Sequence, residues 1–179
     1  ILPVFREAVA QTSKAVPGIV CALATVPHVA GRVRAATREW PTPLHIVEGE
    51  ADKFACFDAV DVALAASGTV TTELALARKP MVVGYRAGWL TYLLALPLMN
   101  VRYITLINVL LDREAVPEFL QTRCTPELLS DAVTKLLMDK GAASHERDAL
   151  DDATALLGRG GEAPSLRAAR AIVSFLNAS

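Results

Sequence analysis

The chain has 179 residues, of which 53% are hydrophobic, with 18 basic and 19 acidic side chains and a formal net charge of -1. That size fits one domain with ample material for a core, and the near balance of charge excludes a polyanion such as nucleic acid as the main partner. Cys21, Cys56 and Cys124 are odd in number, widely spaced and without a CxxC pairing, which excludes a disulfide framework and a zinc site and favours a reducing cytoplasm. The first residues, 1–7, open an amphipathic helix and lack the basic, apolar and small-residue order of a signal peptide. Helix is expected over 2–16, strand over 19–25, helix over 29–38, strand over 44–47 and a short helix over 51–57. Strand 60–65, helix 70–77, strand 81–85, helix 90–99 and strand 103–107 follow. Beyond Asn108 the strands stop, and three helical patterns remain at 126–138, 144–157 and 164–177. Strand-length apolar runs alternating with helices are the signature of βαβ units, so the expected fold is α/β, a Rossmann-like parallel sheet with helices on both faces and a C-terminal helical tail. An apolar stripe over 88–99 is too short to span a bilayer, which takes roughly 20 residues, and is read as core or as a surface for lipid or a partner.

In open α/β sheets ligands bind beyond the carboxyl ends of the strands. The residues expected there are 25–28, Glu48, Gly49, Glu50, Ser67, Gly68, Thr69, Tyr85, Arg86 and Asn108. Hydroxyls, backbone amides, a cation, carboxylates and a carboxamide together suit a nucleotide diphosphate. Ser67-Gly68-Thr69 joins a strand to a helix N-terminus, where unpaired N–H groups and the helix dipole favour phosphate. It is neither a GxGxxG fingerprint nor a GxxxxGK[ST] loop, which disfavours ordinary NAD enzymes and P-loop ATPases, and an ordinary capped turn accounts for it equally well. Glu73 lies one helical turn beyond Thr69 and could accept hydrogen bonds from ribose hydroxyls, although a glutamate in the first helical turns is also favoured by the dipole with no ligand. Arg86 follows an apolar strand and could reach a phosphate. Asn108 closes the strand expected over 103–107, where asparagine is also a routine turn residue. His28, His45 and His145 are too scattered for a metal site, and no Ser, His and Asp constellation or GxSxG motif supports a self-contained hydrolase.

The combined motifs resemble the lipid-A-disaccharide synthase family of inverting glycosyltransferases. The stretches that carry the resemblance are 65–69 through Glu73, Lys79-Pro80-Met81-Val82-Val83-Gly84-Tyr85-Arg86, Leu90-Thr91-Tyr92, and 103–108 through Arg113-Glu114-Ala115-Val116-Pro117-Glu118, in the family's order and over about half the chain. The resemblance implies one lobe of a two-lobed GT-B fold: residues 1–140 as the Rossmann-like donor-nucleotide lobe and 141–179 as its helical extension. An acceptor-side lobe and a Gly-Ser-Arg loop are expected ahead of Ile1. It implies transfer of 2,3-diacylglucosamine from UDP to 2,3-diacylglucosamine 1-phosphate (lipid X), giving the β-1,6-linked lipid A disaccharide of lipopolysaccharide and UDP, with no metal or organic cofactor. By the same resemblance Ser67, Gly68 and Thr69 sit at the diphosphate, Glu73 at the ribose and Arg86 near phosphate. Asn108, a candidate for turnover, lies with Arg113 and Glu114 in a nucleotide-side loop, and the general base is expected in the other lobe. Ile107 and Asp112 depart from the family pattern, which has proline and a small residue there. The resemblance further implies a peripheral protein at the cytoplasmic face of the inner membrane of a Gram-negative bacterium, with dimers formed through the C-terminal helices. Two other readings stand beside it: the donor lobe of another GT-B UDP-sugar transferase or epimerase, and an interaction module docking through its helical tail.

Overall fold

The computed structural model describes residues 1–86, 102–161 and 164–177. In chain order these form α1 (Leu2–Ala15), β1 (Cys21–Thr25), α2 (Pro27–Ala36), β2 (Leu44–Glu48), α3 (Glu50–Ala59), β3 (Ala63–Ala66), α4 (Thr69–Leu76) and β4 (Met81–Tyr85). After the stripe over 88–99, all of which lies outside the described residues along with its expected helix, come α5 (Leu106–Leu111), β5 (Glu118–Leu120), a 3-10 turn (Gln121–Arg123), α6 (Pro126–Met138), α7 (Lys140–Leu156) and α8 (Pro164–Asn177). Proline stands in the first turn of α1, α2 and α6, where its fixed φ suits the helix and its missing N–H breaks no intrahelical bond.

Among the described residues all strand pairs are parallel, in two ladders: β1 beside β2, and β3–β4–β5 in that order. Strand β4 shows how the second ladder is buried, because successive side chains of a strand point to opposite faces. Met81 and Val83 join Ala65, Leu74, Ala75, Ile107, Val116, Leu150 and Ala153 on one face, under α4, α5 and α7. Val82 joins Ala8, Phe119, Leu129 and Leu136 on the other, under α1 and α6. The helix α3 packs on β1 and β2 and sends Phe57 into the core over β3 and β4, so one helix layer serves both ladders.

Two expectations are corrected. Residues 103–107 are not a strand: the chain enters α5 at Leu106, because the Glu118 carboxylate accepts hydrogen bonds from the backbone N–H groups of Ile104 (3.0 Å) and Thr105 (2.9 Å) and pins the start of that helix. Nor do the strands stop at Asn108. Strand β5 follows Pro117, whose carbonyl accepts the Val83 N–H at 2.9 Å, and a proline immediately before a strand costs no ladder donor. The helical tail also divides. Helix α7 belongs to the core through Ala149, Leu150 and Ala153, whereas α8 exposes Leu166, Ile172, Val173 and Leu176. Among the described residues no helix is long and apolar enough to cross a membrane.

Candidate functional site

Two strand-to-helix junctions at the carboxyl edge are built on glycines in conformations that side chains rarely adopt. Gly49 (φ +102°) opens α3, and Gly68 (φ +153°) opens α4. Among the described residues nothing beyond the chain neighbours meets a Cβ added at either, so the requirement is one of backbone conformation. Their electrostatics differ. Helix α3 carries Glu50 and Asp52 in its first turn, which already occupy the positive end of its dipole, whereas α4 has no acidic residue there and no side-chain cap. Of the two junctions, the one at α4 is the one suited to an anion. It opens on a cavity of about 260 Å³ lined by Ser67, Gly68, Thr69, Thr71, Thr72, Ile104 and Leu106. The Thr71 hydroxyl is turned inward and donates to the Gly68 carbonyl at 2.7 Å, holding the turn, while Ser67 is half-buried and Thr69 exposed.

Glu73 stands on α4 one turn past Thr69, a lining residue of this cavity, and does not itself line it. Its two oxygens accept from the Lys53 ammonium of α3 at 2.9 and 3.0 Å, and Lys53 also lies 4.7 Å from the centre of the Phe54 ring. Both partners of the pair are part-exposed. Arg86 reaches the same edge from β4 but turns toward the β5 side, where its Nη2 donates to the Cys124 carbonyl at 2.6 Å. The buried Cys124 thiol is pushed up from its ordinary pKa by burial, with the Arg86 charge opposing.

Asn108 is fully buried in α5. Its Nδ2 donates to the Val116 carbonyl at 2.8 Å, and its Oδ1 accepts the N–H groups of Ala115 and Val116, both at 2.8 Å. Through these bonds it closes the α5–β5 loop, and no atom of it lines the cavity at Gly68. Arg113 and Glu114 are exposed in that loop, at the amino edge of the sheet. Glu114 lines a second cavity there, of about 360 Å³, with Ala115, Pro117, Lys135, His145 and Glu146. The position of that cavity is fixed by Glu146, whose Oε1 accepts the N–H of Met81, the first residue of β4, at 2.7 Å. The structure therefore gathers Ser67, Gly68, Thr69 and Glu73 at one edge, sets Arg86 at the same edge facing β5, and separates Glu114 from them.

Sequence reading missed Lys53, Glu118 and Glu146. Lys53 sits in Glu50-Ala51-Asp52-Lys53, a pattern indistinguishable from a solvated helix face. Glu146 does leave a signal, since it shares its helix face with Ala143, Ala149, Leu150 and Ala153, all buried.

A family model described as lipid-A-disaccharide synthetase matches residues 1–172. Curated lipid-A-disaccharide synthases similar to the chain include those of Rhodospirillum centenum (40% identical over 176 residues, 98% of this chain and 44% of that protein) and Paramagnetospirillum magneticum (37% over 178 residues, 98% and 45%). That of Gluconobacter oxydans is 37% identical over 177 residues, 99% of this chain and 43% of that protein. The chain spans less than half the length of these relatives. With a match that runs over nearly its whole length, on an α/β frame whose carboxyl edge carries the Ser67-Gly68-Thr69 junction, the chain belongs to the lipid-A-disaccharide synthetase family.

Proposed function

We propose that this chain is the donor-nucleotide-binding part of a lipid-A-disaccharide synthase. The observation that carries the reading is the Gly68 junction, where a glycine-only turn and an α4 N-terminus free of acidic side chains face an open cavity. The diphosphate of UDP lies against the N–H groups and hydroxyls of Ser67, Gly68 and Thr69, and the ribose hydroxyls meet Glu73. Arg86 adds positive charge at the same edge, where its Nη2 donates to the Cys124 carbonyl, and a guanidinium carries five N–H donors with which to meet a phosphate oxygen. Asn108 holds the α5–β5 loop, and the start of α5 forms the cavity wall through Ile104 and Leu106. A role of Asn108 in turnover would be exerted through that wall, with Arg113 and Glu114 supporting the same loop.

The parent enzyme then acts as an inverting hexosyltransferase, joining UDP-2,3-diacylglucosamine to lipid X at the cytoplasmic face of the inner membrane, to which it binds peripherally. Inversion needs a base to take the acceptor hydroxyl proton while fixed dipoles and cations stabilise the departing UDP. The α4 N-terminus supplies the second requirement, and the base belongs to an acceptor lobe, so residues 1–179 bind donor without turning it over. Residues 1–140 form the lobe proper and 141–179 its extension. In the intact enzyme, Glu73→Ala should raise the donor KM, and unchanged donor kinetics would count against the ribose assignment.

The exposed apolar residues Leu166, Ile172, Val173 and Leu176 on α8 favour a second role, docking on another lobe or subunit. Light scattering should then show mass rising with concentration, and removal of 164–179 should abolish the rise. A strictly monomeric chain would rule out self-association through α8.

A further inference from the structure

Lys53 and Glu73 come from two different βα units, twenty positions apart, and meet at the carboxyl edge. Lys53 belongs to the first turns of α3, whose start is fixed by Gly49, and Glu73 to α4, whose start is fixed by Gly68. The ammonium bonds both carboxylate oxygens, at 2.9 and 3.0 Å, and so fixes the rotation of the carboxyl plane as well as its place. Each oxygen of an ionised carboxylate has two acceptor sites. Lys53 bridges the two oxygens on their shared side, so the acceptor site left on each is the outer one, and because the outer sites diverge a ribose hydroxyl meets one oxygen.

We propose that Lys53 is a positioning residue for the nucleotide sugar: it orients Glu73 so that the outer side of one carboxylate oxygen faces the ribose 2′-hydroxyl, and it makes the site discriminate ribose from deoxyribose. The inference rests on the donor-site reading above. An unrestrained glutamate would have to be ordered by the ligand at an entropic cost, whereas the ion pair orders it beforehand. The pair is part-exposed, so its value lies in orientation more than in stability.

The test is calorimetric titration of the 179-residue chain with UDP and with 2′-deoxy-UDP, repeated on Lys53→Met, Lys53→Gln and Lys53→Arg, each checked for an unchanged melting midpoint. Wild type should prefer UDP by about tenfold, the worth of one well-made hydrogen bond to a charged group. Lys53→Met and Lys53→Gln should lose most of that preference while 2′-deoxy-UDP affinity stays within about twofold. Lys53→Arg, which keeps a cation able to fork onto a carboxylate, should restore it. A merely structural role would weaken both nucleotides equally and leave their ratio intact, which would overturn the inference while the donor-site reading stands. Absence of UDP binding to wild type would overturn both.

Discussion

Gly68 holds a backbone conformation open to glycine and costly for any side chain, by about 1–3 kcal/mol. Gly68→Ala should lower stability by that amount in urea denaturation, even though among the described residues, its two chain neighbours aside, no atom lies within 4 Å of the added methyl. An unchanged midpoint would mean that the turn relaxes freely. Glu146 poses a different problem, because a carboxyl 3% exposed has its pKa pushed by burial from 4.5 up to about 8, with the Met81 N–H and Arg147 opposing. The folded chain thus keeps a proton that the unfolded chain releases. Its stabilising contribution is fully present below about pH 4.5 and is lost as pH rises through about 8. Melting midpoints of wild type should fall relative to Glu146→Gln between pH 5 and pH 8, and parallel curves would show that Glu146 is ionised in the fold. At this scale Glu73 was legible in the sequence, because helical spacing from Thr69 places it. Lys53 was not, because an ion pair between helices leaves no trace in either local pattern.

Helix α5 is six residues long and too short to persist without tertiary support, so its position depends on two side-chain ties to β5 and the loop before it. Glu118 takes two N–H groups at its start, and Asn108 closes the loop at its far end. Asn108→Ala leaves the buried N–H and carbonyl of Val116 without that partner, each costing about 1–3 kcal/mol, a large share of the 5–15 kcal/mol that typically holds a domain together, while the part-buried Ala115 N–H keeps its bond to the Arg113 carbonyl at 3.0 Å. Severe destabilisation in urea is expected, and a loss under about 1 kcal/mol would contradict the tie. Glu118→Gln keeps one acceptor oxygen and puts an amide donor toward the N–H groups of α5, so a smaller loss is expected, together with weaker donor binding as Ile104 and Leu106 shift. Strands β1 to β4 were legible because each is an apolar run bounded by turn residues. Strand β5 was not, since a three-residue strand beginning with a buried glutamate after a proline resembles a loop. The run 103–107 misled for the complementary reason: its apolar residues serve the entry of a helix whose start is set by a carboxylate fourteen positions away.

At the scale of the molecule, the parallel order β3–β4–β5, with a helix layer on each face, places the β3 and β4 loops side by side at one edge and the α5–β5 loop at the other. That separation divides the candidate residues into a group that can touch a ligand at Gly68 and a group that holds the frame. The sequence reading treated all of them as one constellation, because a strand expected at 103–107 would have put Asn108 at the carboxyl edge. The two ladders share α3 and no hydrogen bonds among the described residues, so expectation of a single sheet was met in its parallel, helix-covered character and not in its continuity. The family match covers both ladders and reaches into α8, which makes the chain a coherent portion of the longer relatives. The central claim is that this portion binds the donor nucleotide at the Gly68 junction. Calorimetric titration of the chain with UDP, beside ADP as a control and repeated on Thr69→Glu, tests it most directly. The account predicts saturable binding of one UDP per chain, selective over ADP and abolished when a carboxylate is placed at the start of α4. UDP binding that survives Thr69→Glu, or no binding by wild type, would contradict it.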